Sequence, residues 1–148
     1  MLKLVKYDKL YLDKSWEWLN DEVIKKLTNT PDFTRKQQLE WFNDIHKKGD
    51  YLIWGIEIDN QRAGACGLKR ITGKDAEYWG YIGDKRFWGQ GYGKQVLQIL
   101  LDKAVEMRLE SIWLKVGLDN LRAIRLYKSS GFEFEKQEEE LQIMKKFL

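Results

Sequence analysis

Two stretches of the chain gather residue types that could do chemistry. The first is Gly89-Gln90-Gly91-Tyr92-Gly93-Lys94, placed between a segment with strand pattern and one with helix pattern. Glycines let a chain turn tightly and let a phosphate approach the backbone. Such a turn aims successive N–H groups, and the positive end of the following helix, at one point. Lys94 adds a positive charge in the first helical turn. Two familiar phosphate motifs fail residue by residue. The dinucleotide fingerprint G-x-G-x-x-G needs Gly at position 94, which is Lys94. The P-loop needs Gly at 88 and Ser or Thr at 95, where the chain has Trp88 and Gln95. What remains is a pyrophosphate cradle of a third kind, or a turn that only joins strand to helix. The second stretch runs from Asn120 to Phe132 and reads N-x-x-A-x-x-L-Y-x-x-x-G-F. Ala123 and Tyr127 are four apart and share a helix face, so the small residue leaves room for something to cross the helix beside the Tyr. The plainer alternative makes Tyr127 a core residue and Asn120 an N-cap.

Composition removes other chemistries. One Cys (Cys66) allows no internal disulfide, and one His (His46) with one Cys cannot assemble a zinc site of the usual ligands, so no metal is expected. A Ser–His–Asp or Cys–His site would have to use His46, which sits in a lysine-flanked, helix-like stretch. Net charge is +3, from 26 basic and 23 acidic residues spread along the chain, a balance that gives no footprint for nucleic acid. No window approaches the ~20 consecutive apolar residues of a membrane span. The opening Met1–Tyr11 lacks the apolar core of a signal peptide, so the expected location is the cytoplasm. At 148 residues, 43% hydrophobic and 33% charged, the chain has the profile of one globular domain spanning residues 1–148. Against the scarcity of His and Cys stands an aromatic surplus of seven Trp, seven Tyr and six Phe.

The elements that must position these stretches follow from periodicity. Leu2–Tyr7 alternates as a strand; Asp13–Asn20 and Val23–Leu27 read as short helices. Thr34 with Gln37 forms a capping-box pattern ahead of a helix over Arg35–Lys47. Tyr51–Ile58 and Arg62–Leu68 read as a hairpin about Asp59–Asn60, and Glu77–Gly83 as a third strand. Gly91–Met107 is a helix with Val96, Leu97, Leu100, Leu101, Ala104 and Val105 on one stripe. A strand at Ser111–Leu118 follows, then a helix over Asn120–Ser130 ended by Gly131 in a left-handed position, then strands Phe132–Glu135 and Leu141–Phe147. The strand–helix–strand stretch permits a right-handed parallel crossover, and the flanking hairpins imply antiparallel pairs. The expected class is α/β: a single-domain mixed, mostly antiparallel twisted sheet with helices on both faces.

Taken together, the glycine loop and the Asn120–Phe132 stretch closely resemble the GNAT superfamily of acetyl-CoA-dependent N-acetyltransferases. The loop is similar to that family's R/Q-x-x-G-x-G/A motif, with Trp88 in place of Arg or Gln and Gly91 and Gly93 as its glycines. A second register, Arg86-x-x-Gly89-x-Gly91, restores Arg but places the final Gly-Lys pair poorly. The W-G-x-G-Y form, the entry Trp18-Leu19-Asn20-Asp21-Glu22-Val23, and the Phe33–Phe42 segment with Thr34, Gln38 and Trp41 resemble the branch of ribosomal-protein and amino-sugar N-acetyltransferases. The resemblance implies that acetyl-CoA is the cofactor, lying between the strand ending at Gly83 and the strand Ser111–Leu118. It implies that backbone groups near Tyr81, Ile82 and Gly83 hold the pantetheine arm, with one N–H polarising the thioester. The loop from Trp88 through Gly89, Gln90, Gly91, Tyr92 and Gly93 to Lys94 would hold the pyrophosphate, and Asn120 would touch the cofactor arm. Tyr127 matches the family's general acid, a phenol able to protonate the leaving sulfur. Glu77, at the start of the strand leading to the cofactor, is the candidate base; an exposed strand-end Glu is its plainer reading, Asp84 a weaker candidate, and His46 reads as a solvated helix end.

The acceptor is less marked. A small primary amine, of a nucleotide-linked amino sugar or an aminoglycoside-like molecule, is the expectation, with Trp16, Trp18, Phe33, Trp41 and Tyr78 as a stacking wall or as core. A protein N-terminal acetyltransferase and a non-catalytic acyl-CoA-binding module are the alternatives. The terminal hairpin offers an edge strand that a second copy could cover as a homodimer; neither nucleic acid nor membrane is an expected partner.

Overall fold

Helix starts in this chain are set by local caps. In the computed structural model, which describes residues 1–148, Asp8 accepts from the Tyr11 N–H and opens α1 (Lys9–Leu19). That is earlier than the helix pattern suggests, because the first turn carries two solvent-facing residues that blur the stripe. Asp21 caps α2 (Glu22–Leu27) through the Val23 and Ile24 N–H groups. Thr34 and Gln37 close a full capping box on α3 (Arg35–Ile45). Each cap of this kind contributes about 1 kcal/mol. α4 (Tyr92–Glu106) and α5 (Leu121–Ser129) follow the two candidate stretches, and Gly131 takes φ +96° after α5.

The strands are β1 (Leu2–Lys6), β2 (Leu52–Ile58), β3 (Gln61–Lys69), β4 (Asp75–Ile82), β5 (Ser111–Gly117), β6 (Glu133–Glu138) and β7 (Leu141–Phe147). They form one sheet in the order β1-β2-β3-β4-β5-β7-β6. Every neighbouring pair is antiparallel except β4–β5, which α4 joins as a parallel crossover. β6 begins one residue later than the pattern suggests, because Phe132 is spent on the core.

Two cores lie on opposite faces. α4 and α5 cover the larger one, in which Val96, Leu97, Leu100, Leu101, Ala104 and Ile124 meet Cys66, Leu68, Tyr78, Leu114 and Met144. Val105, expected on that stripe, is exposed instead: at about 100° per residue it turns past the arc that Val96, Leu97, Leu100, Leu101 and Ala104 bury. α1 and α2 cover the smaller core of Tyr7, Tyr11, Leu12, Trp18, Ile24 and Ala65, with α3 leaning on it through Trp41 and Phe42. Burial in the larger core pushes the Cys66 thiol up to about 12, so it stays a neutral, inert group.

One departure from a regular sheet decides the site. β4 and β5 pair only over Asp75–Glu77 with Ser111–Trp113. β4 then continues against β3 as far as Ile82, and β5 continues against β7 as far as Gly117. The two strands therefore splay apart in the middle of the sheet and open a wedge between them.

Candidate active site

A splayed strand leaves backbone groups without partners, and the ladder on its other side says which ones. The Gly83 N–H donates to the Ala63 carbonyl at 2.7 Å, which makes that pair a hydrogen-bonded one. Alternation along an antiparallel ladder then turns the polar groups of Glu77, Trp79, Tyr81 and Gly83 toward β3, and those of Tyr78, Gly80 and Ile82 toward the wedge. Of the three positions expected to hold a cofactor arm, only Ile82 presents its backbone there. The Tyr81 and Gly83 amides are turned to β3; Tyr78 and Gly80 take their place. That shift is set by sheet register, which no local pattern in the sequence reveals. The Ile82 carbonyl is itself used: the Trp88 indole N–H donates to it at 2.8 Å. Trp88 thus ties the glycine loop to the end of β4, with its ring against the smaller core.

Side chains brace the same strand end. The Tyr81 hydroxyl donates to Ser15 Oγ at 3.1 Å and the Tyr7 hydroxyl to the same atom at 2.7 Å, while Trp18 crosses the Tyr81 ring at 79°. Trp18 also lies flat on Gly83, where any Cβ would fall 2.2 Å from its ring. Trp18 is therefore scaffold.

The glycine loop begins with a single 3-10 turn over Lys85–Phe87, capped by Asp84 through the Arg86 N–H. Asp84 also binds the Arg86 guanidinium, which holds its carboxyl below the usual carboxylate range, and it stands away from the cleft described below. With Arg86 held by Asp84 and by Gln61 at 2.5 Å, the loop proper runs from Trp88. Gly89 (φ +75°) and Gly91 (φ +82°) are left-handed, conformations in which other residues are strained. Gly93 lies inside α4 with Leu126 at 3.8 Å from the place of its missing Cβ. α4 has no side-chain cap, and its first helical bond is from Gln95 to Gly91. The six N–H groups of residues 89 to 94 consequently donate to no acceptor in the protein. Gln90 turns its side chain back to the Arg86 carbonyl, and Tyr92 packs its ring against Phe87, so both leave their amides free. Lys94 forms no ion pair. Sequence reasoning missed Arg122, whose guanidinium lies 3.7 Å from where a Gly89 Cβ would sit. Its only signal was a cation in the first turn of the helix that follows Asn120. Free amides, a helix N-terminus and two cations fit the pyrophosphate and phosphates of coenzyme A.

Where the wedge widens, a cleft of 710 Å³ opens on the face carrying α1 and α3. Its walls combine β4 (Glu77 to Tyr81), β5 (Lys115, Val116), the segment 27–33, and α3 through Gln38 and Trp41; Tyr127 and Asn120 close its inner end. Asn120 caps α5 by accepting from the Ala123 N–H at 3.3 Å. The Tyr127 ring is held by Tyr78 at 6.5 Å and Phe132 at 5.9 Å, and burial pushes its phenol up to about 12. Glu77 is not an exposed strand-end residue: its side chain is 6% exposed and bonded to Arg70, with Lys69 at 3.9 Å. Tyr127 and Glu77, far apart in the chain, thus share one cavity. Of the expected aromatic wall, Phe33, Trp41 and Tyr78 line the cleft; Trp16 and Trp18 do not, and Tyr7, Tyr51, Trp79 and Tyr81 stand in their place. His46 ends α3 against Phe42, away from the cleft. No group of three His, Cys, Asp or Glu side chains converges to hold a metal ion, and no helix is long and apolar enough to cross a membrane.

A mixed sheet split at one parallel pair, with free loop amides at the mouth of the split, defines an acyl-CoA-dependent N-acyltransferase. The chain belongs to the acetyltransferase (GNAT) family, whose sequence profile matches residues 12–132. Spermidine N-acetyltransferase from Vibrio cholerae, in complex with CoA and spermine, superposes with a TM-score of 0.88 at 19% identity, over 99% of this chain and 95% of that one. The N-acetyltransferase PseH from Campylobacter jejuni, in complex with acetyl coenzyme A, gives 0.77 at 16% identity, over 98% and 97%. In sequence, an N-acetyltransferase 9-like protein from Dictyostelium discoideum is 24% identical over 88% of this chain and 73% of its own length. The protein is an acetyltransferase of this family.

Proposed function

We propose that the acceptor is a primary amine on a small molecule, of the amino-sugar class or similar, acetylated by direct attack within a ternary complex. The observation that carries this reading is the 710 Å³ cleft, which shares Tyr127 with the cofactor wedge and is roofed by residues 27–33. A volume of that order suits a small ligand held on most of its surface. Its rings, Trp41, Tyr51, Trp79 and Tyr81 among them, offer flat apolar faces to a sugar or similar body.

Acetyl transfer needs a neutral amine, a polarised thioester and a proton for the leaving thiolate. In this reading the wedge-facing amides of Gly80 and Ile82 supply the polarising N–H. The Tyr127 O–H, kept protonated by burial, delivers its proton to the sulfur. Glu77 takes the proton from the ammonium, directly or through water, with Arg70 fixing its position. Glu77→Gln then lowers kcat by about 100-fold with KM for acetyl-CoA unchanged. Full kcat, with only a lower Tm, reduces Glu77 to an ion-pair residue.

The acceptor class is tested by following thiol release from acetyl-CoA with amino sugars, aminoglycosides, polyamines and N-terminal peptides. Small amines are expected to exceed peptides in kcat/KM by at least about 10-fold. Turnover of peptides alone overturns the small-molecule reading.

A further inference from the structure

Counted with their ion-pair partners, four cations stand against three acids around the cleft: Lys25, Lys69, Arg70 and Lys115 against Asp32, Glu77 and Glu138. Lys69 stands opposite Glu77 across β3–β4, and Glu77 opposite Trp113 across β4–β5. The two-residue period then puts Lys115 on the same face of the sheet. Lys69, Glu77 and Lys115 all line the cleft, and Asp32 is its fourth charged residue. Both acids already have a cation of their own from outside the cavity. Glu77 is bonded to Arg70, and Asp32, at the rim, is bonded to Lys25. The two lysines are held only by loose ion pairs and by no hydrogen bond. Lys69 comes no nearer to Glu77 than 3.9 Å, and Lys115 comes no nearer to Glu138 than 3.8 Å. Each side chain is 33% exposed, so both ammonium groups keep hydrogen bonds to give to a ligand in the cleft that Tyr127 also lines. Desolvation also lowers the Lys69 ammonium, with Arg70 and Lys115 adding to the effect and Glu77 opposing it.

This excess discriminates between amines. A polyamine would bring further ammonium groups against Lys69 and Lys115. An amine that also carries an oxyanion would give both lysines the charge-assisted hydrogen bonds they lack. We propose that the acceptor is an anionic primary amine, a small molecule bearing a phosphate or carboxylate group that Lys69 and Lys115 hold. The inference rests on the small-molecule reading above and sharpens it from an amine to an amine with a negative group.

The test compares glucosamine 6-phosphate, 2-amino-2-deoxygluconate, glucosamine and spermidine as acceptors with the wild-type protein, Lys69→Gln, Lys115→Gln and the double variant. Lys115→Arg serves as the conservative control. The phosphate or carboxylate amine is expected to exceed glucosamine in kcat/KM by on the order of 10- to 100-fold, with spermidine the poorest. Which of the two leads names the oxyanion. In the double variant the anionic-to-neutral ratio is expected to fall toward one, carried by KM, and Lys115→Arg to retain it. Unchanged KM for acetyl-CoA shows that the variants are folded. A wild-type ratio near one, a ratio unmoved in every variant, or spermidine as the best acceptor overturns the proposal while leaving the small-amine reading standing. Turnover of peptides alone overturns both.

Discussion

Tyr127→Phe is expected to lower kcat by about 100- to 1,000-fold while leaving the affinity for acetyl-CoA unchanged. The substitution removes one hydroxyl and nothing else. The ring keeps its edge contacts with Tyr78 and Phe132 and its place against the larger core, so the fold is undisturbed. Burial is the cause that moves this phenol, from 10.0 up to about 12. The direction keeps the donor loaded through the whole physiological range; because the phenol is then a weaker acid than the thiol it forms, the transfer relies on its position beside the sulfur. Two consequences follow for pH. Any alkaline limb of kcat below about pH 10 arises elsewhere and survives in the Phe variant. Because the folded value lies above the unfolded one, this group's contribution to stability is complete below pH 10 and is lost as pH rises from about 10 to about 12; Tyr127→Phe lacks that loss. Steady-state rates and calorimetric acetyl-CoA binding on the same preparation check the first point. A variant with full kcat and unchanged affinity would remove Tyr127 from the acid role.

The two halves of the site differ in how far the sequence exposes them. The cofactor half is local. Gly89 to Lys94 is one turn, and Asn120 to Phe132 is one helix with its cap and its Gly131 stop, so spacing alone displays the free amides and the buried face of Tyr127. The acceptor half is assembled by sheet topology. Lys69, Glu77 and Lys115 come from three strands and meet only because β4 and β5 are parallel neighbours. In the sequence each resembles any solvated charge. Register is equally silent. Whether Tyr81 or Gly80 turns its amide to the wedge depends on how Gly83 pairs with Ala63, next to the bulge that the β2–β3 hairpin makes between Ile56 and Glu57. The aromatic residues divide in the same way. Trp18 is scaffold because Gly83 leaves space for its ring, and Trp88 is a strap because the Ile82 carbonyl needs a donor. Tyr7, Tyr51 and Trp79 became cleft wall through pairings tens of residues away.

Gly91→Val should separate cofactor binding from folding more cleanly than any other change in the loop. At φ +82° a β-branched residue is strained by about 1–2 kcal/mol, yet a Cβ there meets nothing within 4 Å, so no neighbour must move. Valine methyl groups would instead stand in the open space beside the Gly91 amide, in the loop whose N–H groups have no acceptor, and are expected to block a phosphate's approach to them. Hydrogen bonds to a charged group are worth about 1.5–3 kcal/mol each, so blocking two of them raises the Kd for acetyl-CoA by at least about 100-fold. Neighbouring glycines supply the internal controls. Gly93→Ala meets Leu126 at an ordinary 3.8 Å and is expected to bind acetyl-CoA nearly as the wild type does. Gly83→Ala drives a methyl to within 2.2 Å of the Trp18 ring, in the buried corner where β4 ends, and is expected to lower Tm sharply. Thermal melts with and without acetyl-CoA read both quantities at once. The expected pattern is a Tm lower by only a few degrees for Gly91→Val, with the cofactor-induced rise in Tm gone. A Gly91→Val protein whose melting temperature rises with acetyl-CoA as much as the wild type's would place the pyrophosphate somewhere other than this loop.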